Sequence, residues 1–443
     1  MAAVGALCVA ATALFAEAHQ PLPLGIWRTD GYGFIFEVGT VKLTIFDETK
    51  DACLLNSVLE GREAAEWVGR AVIARGGDEA VLLPGISHIR ATRLAALPAG
   101  CKAATEDRDP LRNFDHLWTT FDEQYAFFAT RNVDWNALRA EFRPKAVAAK
   151  SPEQLFEILS AMLARLKDAH VSLTAGDTTF KAERSAEPTT PGPDGVIATR
   201  KGLQRALKDY VAGPGTPLLK PAKPIARNRV WYGELKGKIG YVVVFAMGGF
   251  EDDDVTMQDN AASARKVFQE IAHAFKDMRG VIVDLRTNQG GYDTVSLELA
   301  GLFAARPGTA FAKRAHRAEI PAYAVSLTPA APLRLAKPVA VLVSEHTVSA
   351  GETAAAAFRT LPNATLIGQP TQGALSDVLE KKLPNGWTFT LSNEVFTMTD
   401  GTIPEGPGVA PHVATQVPAA PKTPAERFQP DIDEAVRALK GQR

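Results

Sequence analysis

From residue 229 onward, short apolar segments alternate with longer amphipathic ones, and this run constrains the fold more than any other feature. Ile239 to Phe245, Val281 to Leu285, Val339 to Val343 and Ala364 to Ile367 are rich in β-branched and aliphatic side chains. Segments so short and so uniformly apolar read as strands covered on both faces. Between them, Val255 to Lys276, Thr294 to Ala304 and Ser349 to Thr360 carry helical spacing. A strand apolar on both sides needs a layer on each side, so the alternation implies a sheet with helices packed on its faces. Trp387 to Leu391 adds a late strand and residues 424 to 439 a closing amphipathic helix, which gives an α/β core over 229–420 and a terminal helix in 421–443. No internal repeat is found.

Three further regions precede this core. Residues 22–104 contain short strands such as Gly33 to Val38 and Val41 to Phe46, separated by Gly and Asp-Glu, as in a small all-β module. Residues 108–175 switch to helical period, with Phe114, Leu117, Trp118, Phe121, Tyr125 and Phe128 three or four positions apart. A second helix is expected to start at Ser151, with Ser151 as N-cap, Pro152 in the first turn and Gln154 completing a capping box. Leu155, Leu159, Met162 and Leu166 form its buried stripe; it should end near Lys167, with a short strand at Val171 to Leu173. Residues 176–228 hold seven prolines between 188 and 224 and read as a loop-rich insertion with one short helix near Gly202 to Tyr210.

Length and charge exclude some functions. At 443 residues the chain has room for roughly two to four domains. With 49 basic against 50 acidic residues and no long basic run, binding to nucleic acid through its phosphates is not expected. Residues 2 to 16 are uncharged and mostly Ala, Val and Leu, and Ala16-Glu17-Ala18 offers an A-x-A cleavage site. Residues 1–18 therefore read as a secretory signal peptide, the alternative being a buried N-terminal helix. No other segment is long and apolar enough to span a membrane. Cleavage would remove Cys8 and leave Cys53 and Cys101, an even pair suited to one disulfide in a periplasmic or secreted protein. Their 48-residue separation makes such a bridge worth roughly 4 kcal/mol of loop entropy; two buried thiols are the other reading.

Two stretches carry candidate chemistry. Strand Val339 to Val343 runs into Ser344-Glu345-His346-Thr347-Val348 and then Ser349-Ala350-Gly351-Glu352 at the head of an Ala-rich helix. A serine there has unpartnered backbone N–H groups and the positive end of a helix dipole beneath it, which suits a nucleophile whose adduct is an oxyanion. On its own the same pattern is an ordinary N-cap. Asp284-Leu285-Arg286-Thr287-Asn288-Gln289-Gly290-Gly291 also follows a buried strand, and paired glycines there can point N–H groups outward or simply make a tight turn.

Taken in order, these stretches resemble the tail-specific (C-terminal processing) and tricorn-type serine peptidases, serine peptidase family 41. Four motifs carry the resemblance: Leu166-Lys167-Asp168-Ala169-His170-Val171, Asp284 to Gly291, Ser349 to Glu352, and a tail of Ile367 to Gly373, Leu383 to Gly386 and Glu405 to Pro411. The resemblance covers 108–174 and 229–414 and implies a crotonase/ClpP-like catalytic core with an N-terminal helical subdomain. Tail-specific members use a Ser-Lys dyad with the lysine 25 residues past the serine. Here that position is Ala374, while Lys381 and Lys382 lie in another motif. The tricorn-like Ser-His branch is the better match, with Ser349 as nucleophile, His170 as general base and Glu394 as the residue that orients the imidazole. Asp168 is the alternative orienter and His346 the rival base. Glu352 could bond near the helix start. By the same analogy, Ala350 and one of Gly290 or Gly291 supply the oxyanion hole. Tyr241 to Phe245 and Gly248 to Phe250 could present an exposed edge to a peptide.

Tail-specific relatives usually insert a PDZ domain between the helical part and the sheet, and 176–228 is too short and too proline-rich for an ordinary one. The expected function is hydrolysis of peptide bonds in a peptide or protein substrate through an acyl-enzyme, with no metal and no organic cofactor. The alternatives are a non-catalytic ligand- or peptide-binding protein on the same fold, which would not need Ser349, His170 and the glycine pair together, and a crotonase-type acyl-CoA enzyme, which export disfavours.

Overall fold

Seven strands form the central sheet, in the spatial order Lys223–Ile225, Val230–Leu235, Ile239–Val244, Gly280–Asp284, Val339–Val343, Ala364–Gly368 and Val413–Ala414. The structure is a computed structural model and describes residues 19–102, 106–182, 199–316, 320–416, 421 and 423–441. The expected leader, residues 1–18, lies outside the described residues. The strands from Ile239–Val244 onward are parallel, with Val281 opposite Val339 and Val339 opposite Ala364. The first two strands join the sheet as antiparallel neighbours.

Both faces are covered, which explains the unbroken apolar runs. Val281, Val283, Val339, Val341 and Val343 pack on one side with Phe268, Leu299 and Ala354. These come from helices Met257–Ala274, Asp293–Gly301 and Ala350–Arg359. The alternate side chains Ile282, Ala340 and Leu342 pack on the other side with Leu207, Phe428 and Ile432, from helices Arg200–Ala212 and Pro424–Gly441. The fold is therefore α/β as expected, and the insertion helix near Gly202 is a structural cover for the sheet.

Upstream, residues Gly25 to Lys102 form an eight-stranded sheet with one short helix, Gly61–Val68. Cys53 and Cys101 are disulfide-bonded, with Cα atoms 4.4 Å apart. Three helices follow, Pro110–Gln124, Trp135–Val147 and Pro152–Leu163. The sequence reading found only the first and the last. Trp135–Val147 buries just Trp135, Phe142 and Ala146 and has Pro144 inside it, so its stripe is thin. At Ser151 the cap forms as expected through the Gln154 N–H at 3.3 Å, but the Gln154 side chain accepts from Lys150 N–H instead of closing a box on Ser151. The β sheet and these helices share one apolar core, in which Trp27 and Phe36 are buried in the same cluster as Phe114, Phe121 and Leu159. Hydrophobic burial of this kind ties the N-terminal sheet to the rest of the chain.

Two smaller sheets bring distant segments together. In one, Ser172–Ala175 lies between Thr178–Lys181 and Thr388–Ser392, and Val378–Lys382 completes the row. In the other, Gly308–Ala315 lies between Tyr323–Leu327 and Glu394–Thr397. The first of these carries the end of the helical region to the segment that follows Ala374. The expected exposed edge at Tyr241 to Phe245 is absent: Ile239–Val244 has a neighbour on each side and is buried throughout. Phe250 is buried as well. Among the described residues, no helix is long and apolar enough to cross a membrane.

Candidate active site

The turn that carries Ser349 is fixed by the motif beside it. Ser344 Oγ donates to the Arg286 carbonyl at 2.6 Å, and Thr347 Oγ1 to the Leu285 carbonyl at 2.8 Å. Arg286 is itself buried, 2.6 Å from Asp284 Oδ2 and 2.9 Å from Asp431 Oδ2, and Tyr241 donates to Asp284 at 2.6 Å. The Asp-Leu-Arg part of the motif is thus scaffold. Asn288 templates the glycines: its Oδ1 accepts the Gly290 N–H at 2.8 Å and its Nδ2 donates to the Val244 carbonyl at 2.8 Å.

Ser349 has φ 55° and ψ −126°. A non-glycine residue in such a sparsely populated region is strained by about 1–3 kcal/mol and stays there only if its surroundings hold it. They do so here. The Ser349 N–H reaches both the Ala374 carbonyl at 3.1 Å and Glu352 Oε2 at 3.1 Å. Gly290, at φ +83°, backs the residue so closely that a Cβ on it would lie 2.7 Å from Ser349 Cβ. The Gly290 N–H is engaged by Asn288, whereas the Gly291 and Ala350 N–H groups have no acceptor among the described residues.

Glu352 does more than favour the helix start. Its fully buried carboxylate accepts from Thr371 Oγ1 at 2.6 Å, Gly373 N–H at 2.6 Å and Ala374 N–H at 2.9 Å, besides Ser349. It ties the Ser349 turn to the 371–374 segment. Burial raises its pKa, and these hydrogen bonds oppose the rise.

His170 follows a left-handed residue, Lys167 at φ 51°, that ends the helical region. Asp168 sets the turn, with Oδ1 accepting the His170 N–H at 2.9 Å and Oδ2 the Tyr125 hydroxyl at 2.8 Å. Arg131 lies 3.9 Å from Asp168 and 2.7 Å from Glu405. Glu405 Oε2 in turn accepts the Leu375 and Ser376 N–H groups at 2.8 and 3.1 Å. The His170 imidazole is set against the backbone of Ser376, and its Nδ1 is buried without a hydrogen-bond partner. Burial lowers its pKa from 6.5, with Asp168 and Asp377 pulling the other way. Ser349 and His170, 179 positions apart in sequence, therefore meet the same short segment: one bonds the Ala374 carbonyl and the other faces Ser376. No hydrogen bond joins the Ser349 hydroxyl to the imidazole.

No hydrogen bond or ion pair joins Glu394 to the imidazole. Its buried carboxylate accepts from the Tyr32 hydroxyl and pairs with Lys313 Nζ at 2.5 Å. It lies instead along a cavity of about 360 Å³ lined by Ser349, Gly291, Asp293, Ser376, Asp377 and Glu394, and by Tyr32, Trp67 and Ser87 of the N-terminal module. Lys313, Asp293 and Asp377 were not singled out from the sequence. Lys313 lies on a strand of the three-stranded sheet, Asp293 at the head of helix Asp293–Gly301 and Asp377 just before strand Val378–Lys382, and only the tertiary fold brings them to one place. The other candidates are occupied elsewhere. His346 is buried, with Nε2 3.6 Å from Glu345 and a pKa pushed down to about 4 by burial. Lys381 is buried against Asp47 at 3.0 Å and donates to the Tyr32 and Gly33 carbonyls. Among the described residues, no cluster of His, Cys, Asp and Glu is arranged to hold a metal ion.

Fold and site together define an α/β protein with a strained serine at a helix head, unengaged backbone N–H groups and a cavity in front of it. The model of peptidase family S41 matches residues 238–415, and that of the tricorn protease C1 domain matches residues 107–164. The carboxy-terminal processing protease CtpA of Bacillus subtilis is 30% identical over 231 residues. That match covers 52% of this chain and 46% of CtpA, so the chain spans about half the length of this relative. A crystal structure of a candidate peptidase from Parabacteroides merdae superposes with a TM-score of 0.58 at 24% identity, covering 75% of this chain and 97% of that one. Mature CPAF superposes with a TM-score of 0.56 at 12% identity over 75% and 98% of the two chains. Residues 238–415 therefore form a peptidase family S41 domain, and that family is one of serine-type peptidases.

Proposed function

We propose that the protein is an exported serine peptidase that cleaves peptide bonds through an acyl-enzyme on Ser349. The observation that carries this reading is the strained Ser349 at a helix N-terminus, opening on a cavity beside two backbone N–H groups that nothing in the described protein uses. Ser349 Oγ adds to the substrate carbonyl while His170 takes its proton. The Gly291 and Ala350 N–H groups stabilise the oxyanion, a contribution worth about a hundred- to thousandfold per donor. His170 then protonates the leaving amine, and water, activated by the same imidazole, releases the acyl group. Gly290 is assigned the support of Ser349 instead of a donor role. Glu394 is assigned no orienting role, because Tyr32 and Lys313 occupy its carboxylate; the charges of Asp168 and Asp377 favour the imidazolium. Ala374 stands where a dyad lysine would be, and a methyl group takes no proton, which supports the tricorn-like Ser-His solution. Export rests on the leader-like N-terminus and on the Cys53–Cys101 disulfide, a bond of oxidising compartments.

A fluorophosphonate probe tests the assignment. The wild-type protein should be labelled on Ser349, Ser349→Ala should lose the label, and His170→Ala should lose at least a hundredfold in labelling rate. Full labelling of Ser349→Ala would remove the nucleophile, and an unaffected His170→Ala would remove the base.

A further inference from the structure

We propose that the cavity beside Ser349 is a subsite for a cationic side chain, lysine or arginine, flanking the cleaved bond. The proposal rests on the reading of Ser349 as nucleophile and names the substrate class that reading leaves open. The cavity is built from two parts of the chain. Trp67, Ile86 and Ile89 of the N-terminal module and Leu379 of the core give it apolar walls, and Asp293, Asp377 and Glu394 give it an acidic end.

The charges at that end do not balance. Three carboxyl groups face one ammonium, Lys313, whose Nζ is 2.6 Å from Asp377 and 2.5 Å from Glu394. Lys313 is fully buried behind them, while Asp377 keeps 42% of its side-chain surface open. The cation is hidden and a carboxylate is presented. Asp293 uses Oδ1 to accept the Thr353 hydroxyl at 2.7 Å, but its Oδ2 is buried and has no donor. Asp377, its neighbour in the cavity, is another carboxyl group, so the two meet only when one of them holds a proton.

Protons fill part of this deficit: burial, chiefly, pushes Asp293 up to about 7 and Glu394 up to about 8. A guanidinium or ammonium would supply the missing donors and charge in their place. Lysine and arginine also carry long apolar stems below their charged heads, which matches apolar walls leading to an acidic end. A neutral aliphatic side chain would fill the walls and leave the Asp293 oxygen unpaired, a cost that falls on the competitor substrate.

The test uses the full-length protein and internally quenched peptides that differ only in the residue before or after the cleaved bond. Arg or Lys at one of those positions should raise kcat/KM at least tenfold over Leu. Asp293→Asn should cut that preference at least tenfold by lowering the value for the basic substrates. A wild-type protein that treats Arg, Lys and Leu alike at both positions overturns the proposal, as does an Asp293→Asn preference equal to wild type. A second measurement needs no variant: a peptide aldehyde ending in arginine should block fluorophosphonate labelling of Ser349 at a concentration at least tenfold below that of its leucine counterpart. Equal potency, together with no preference after the cleaved bond in the quenched peptides, overturns the subsite while leaving the nucleophile standing. Absence of labelling altogether overturns the nucleophile, and the subsite with it.

Discussion

Gly290→Ala probes how Ser349 is held, and the structure sets the size of the effect. Alanine at φ +83° is strained by about 1–2 kcal/mol. The new methyl would also sit 2.7 Å from Ser349 Cβ and 3.0 Å from the Val348 carbonyl oxygen. Neither neighbour is the free end of a flexible side chain, so one of them must move, at a further cost of about 1–3 kcal/mol. The atom most directly in the way belongs to the nucleophile. A displacement on the order of 1 Å there lowers reactivity about a hundredfold. Gly386→Ala separates the two terms, since Gly386 has almost the same dihedral, φ +87°, with nothing within 4 Å of its would-be Cβ. Thermal unfolding and fluorophosphonate labelling would be measured on both variants. Gly386→Ala should lose only the backbone term and label at the wild-type rate; Gly290→Ala should be less stable than that and label about a hundredfold more slowly. Equal labelling of the two variants would show that Gly290 does not fix the serine, and the argument from its close approach would fail.

Two further outcomes follow from the disulfide and from His170. Replacing Cys53 and Cys101 together by Ala opens a 48-residue loop and should lower stability by roughly 4 kcal/mol in urea unfolding; a loss under about 1 kcal/mol would show that the N-terminal sheet is held by its shared core alone. Because burial lowers the His170 pKa, the neutral base persists below pH 6.5, so the acid limb of the labelling rate should lie below that value. Asp377 favours the imidazolium, so Asp377→Asn should move the limb further down, and a limb at or above 6.5, or an upward shift in the variant, would contradict the assigned base.

The sequence made the central sheet legible because its strands are buried on both faces, and burial writes itself into composition. Val339 to Val343 could be read without any partner in view, since every residue needs an apolar neighbour. The antiparallel strands Gly308–Ala315 and Glu394–Thr397 escaped for the opposite reason. They mix apolar residues with Lys313 and Glu394, whose burial is made tolerable by each other and by Asp377, at long range. Local pattern carries no trace of such pairing. The same limit explains Glu394: resemblance identified a carboxylate of the right kind near the right place, but which cation or imidazole it meets depends on Tyr32 and Lys313, hundreds and tens of positions away. Asp168 was the easier case, because its bond to the His170 N–H spans two residues and a turn role follows from proximity.

Ala374, where the family resemblance would place a dyad lysine, has a role that reaches well beyond its own position. Ala374 is buried, its N–H is held by Glu352, and its carbonyl holds Ser349. It is part of the frame, and under the proposed mechanism the base comes from His170. A histidine from the helical region is correctly placed only if two segments remote in sequence keep a fixed relation, and apolar packing alone tolerates small slips. Directional bonds to buried carboxylates do not. Glu352 binds the 371–374 segment to the nucleophile turn, while Arg131 and Glu405 bind 375–376 to the helical region next to Asp168 and His170. Such groups are poor contributors to net stability, because desolvation offsets most of their attraction. Under the proposed mechanism their concentration along this one path has a geometric reason: they fix the relation between a hydroxyl and an imidazole that the chain itself leaves far apart.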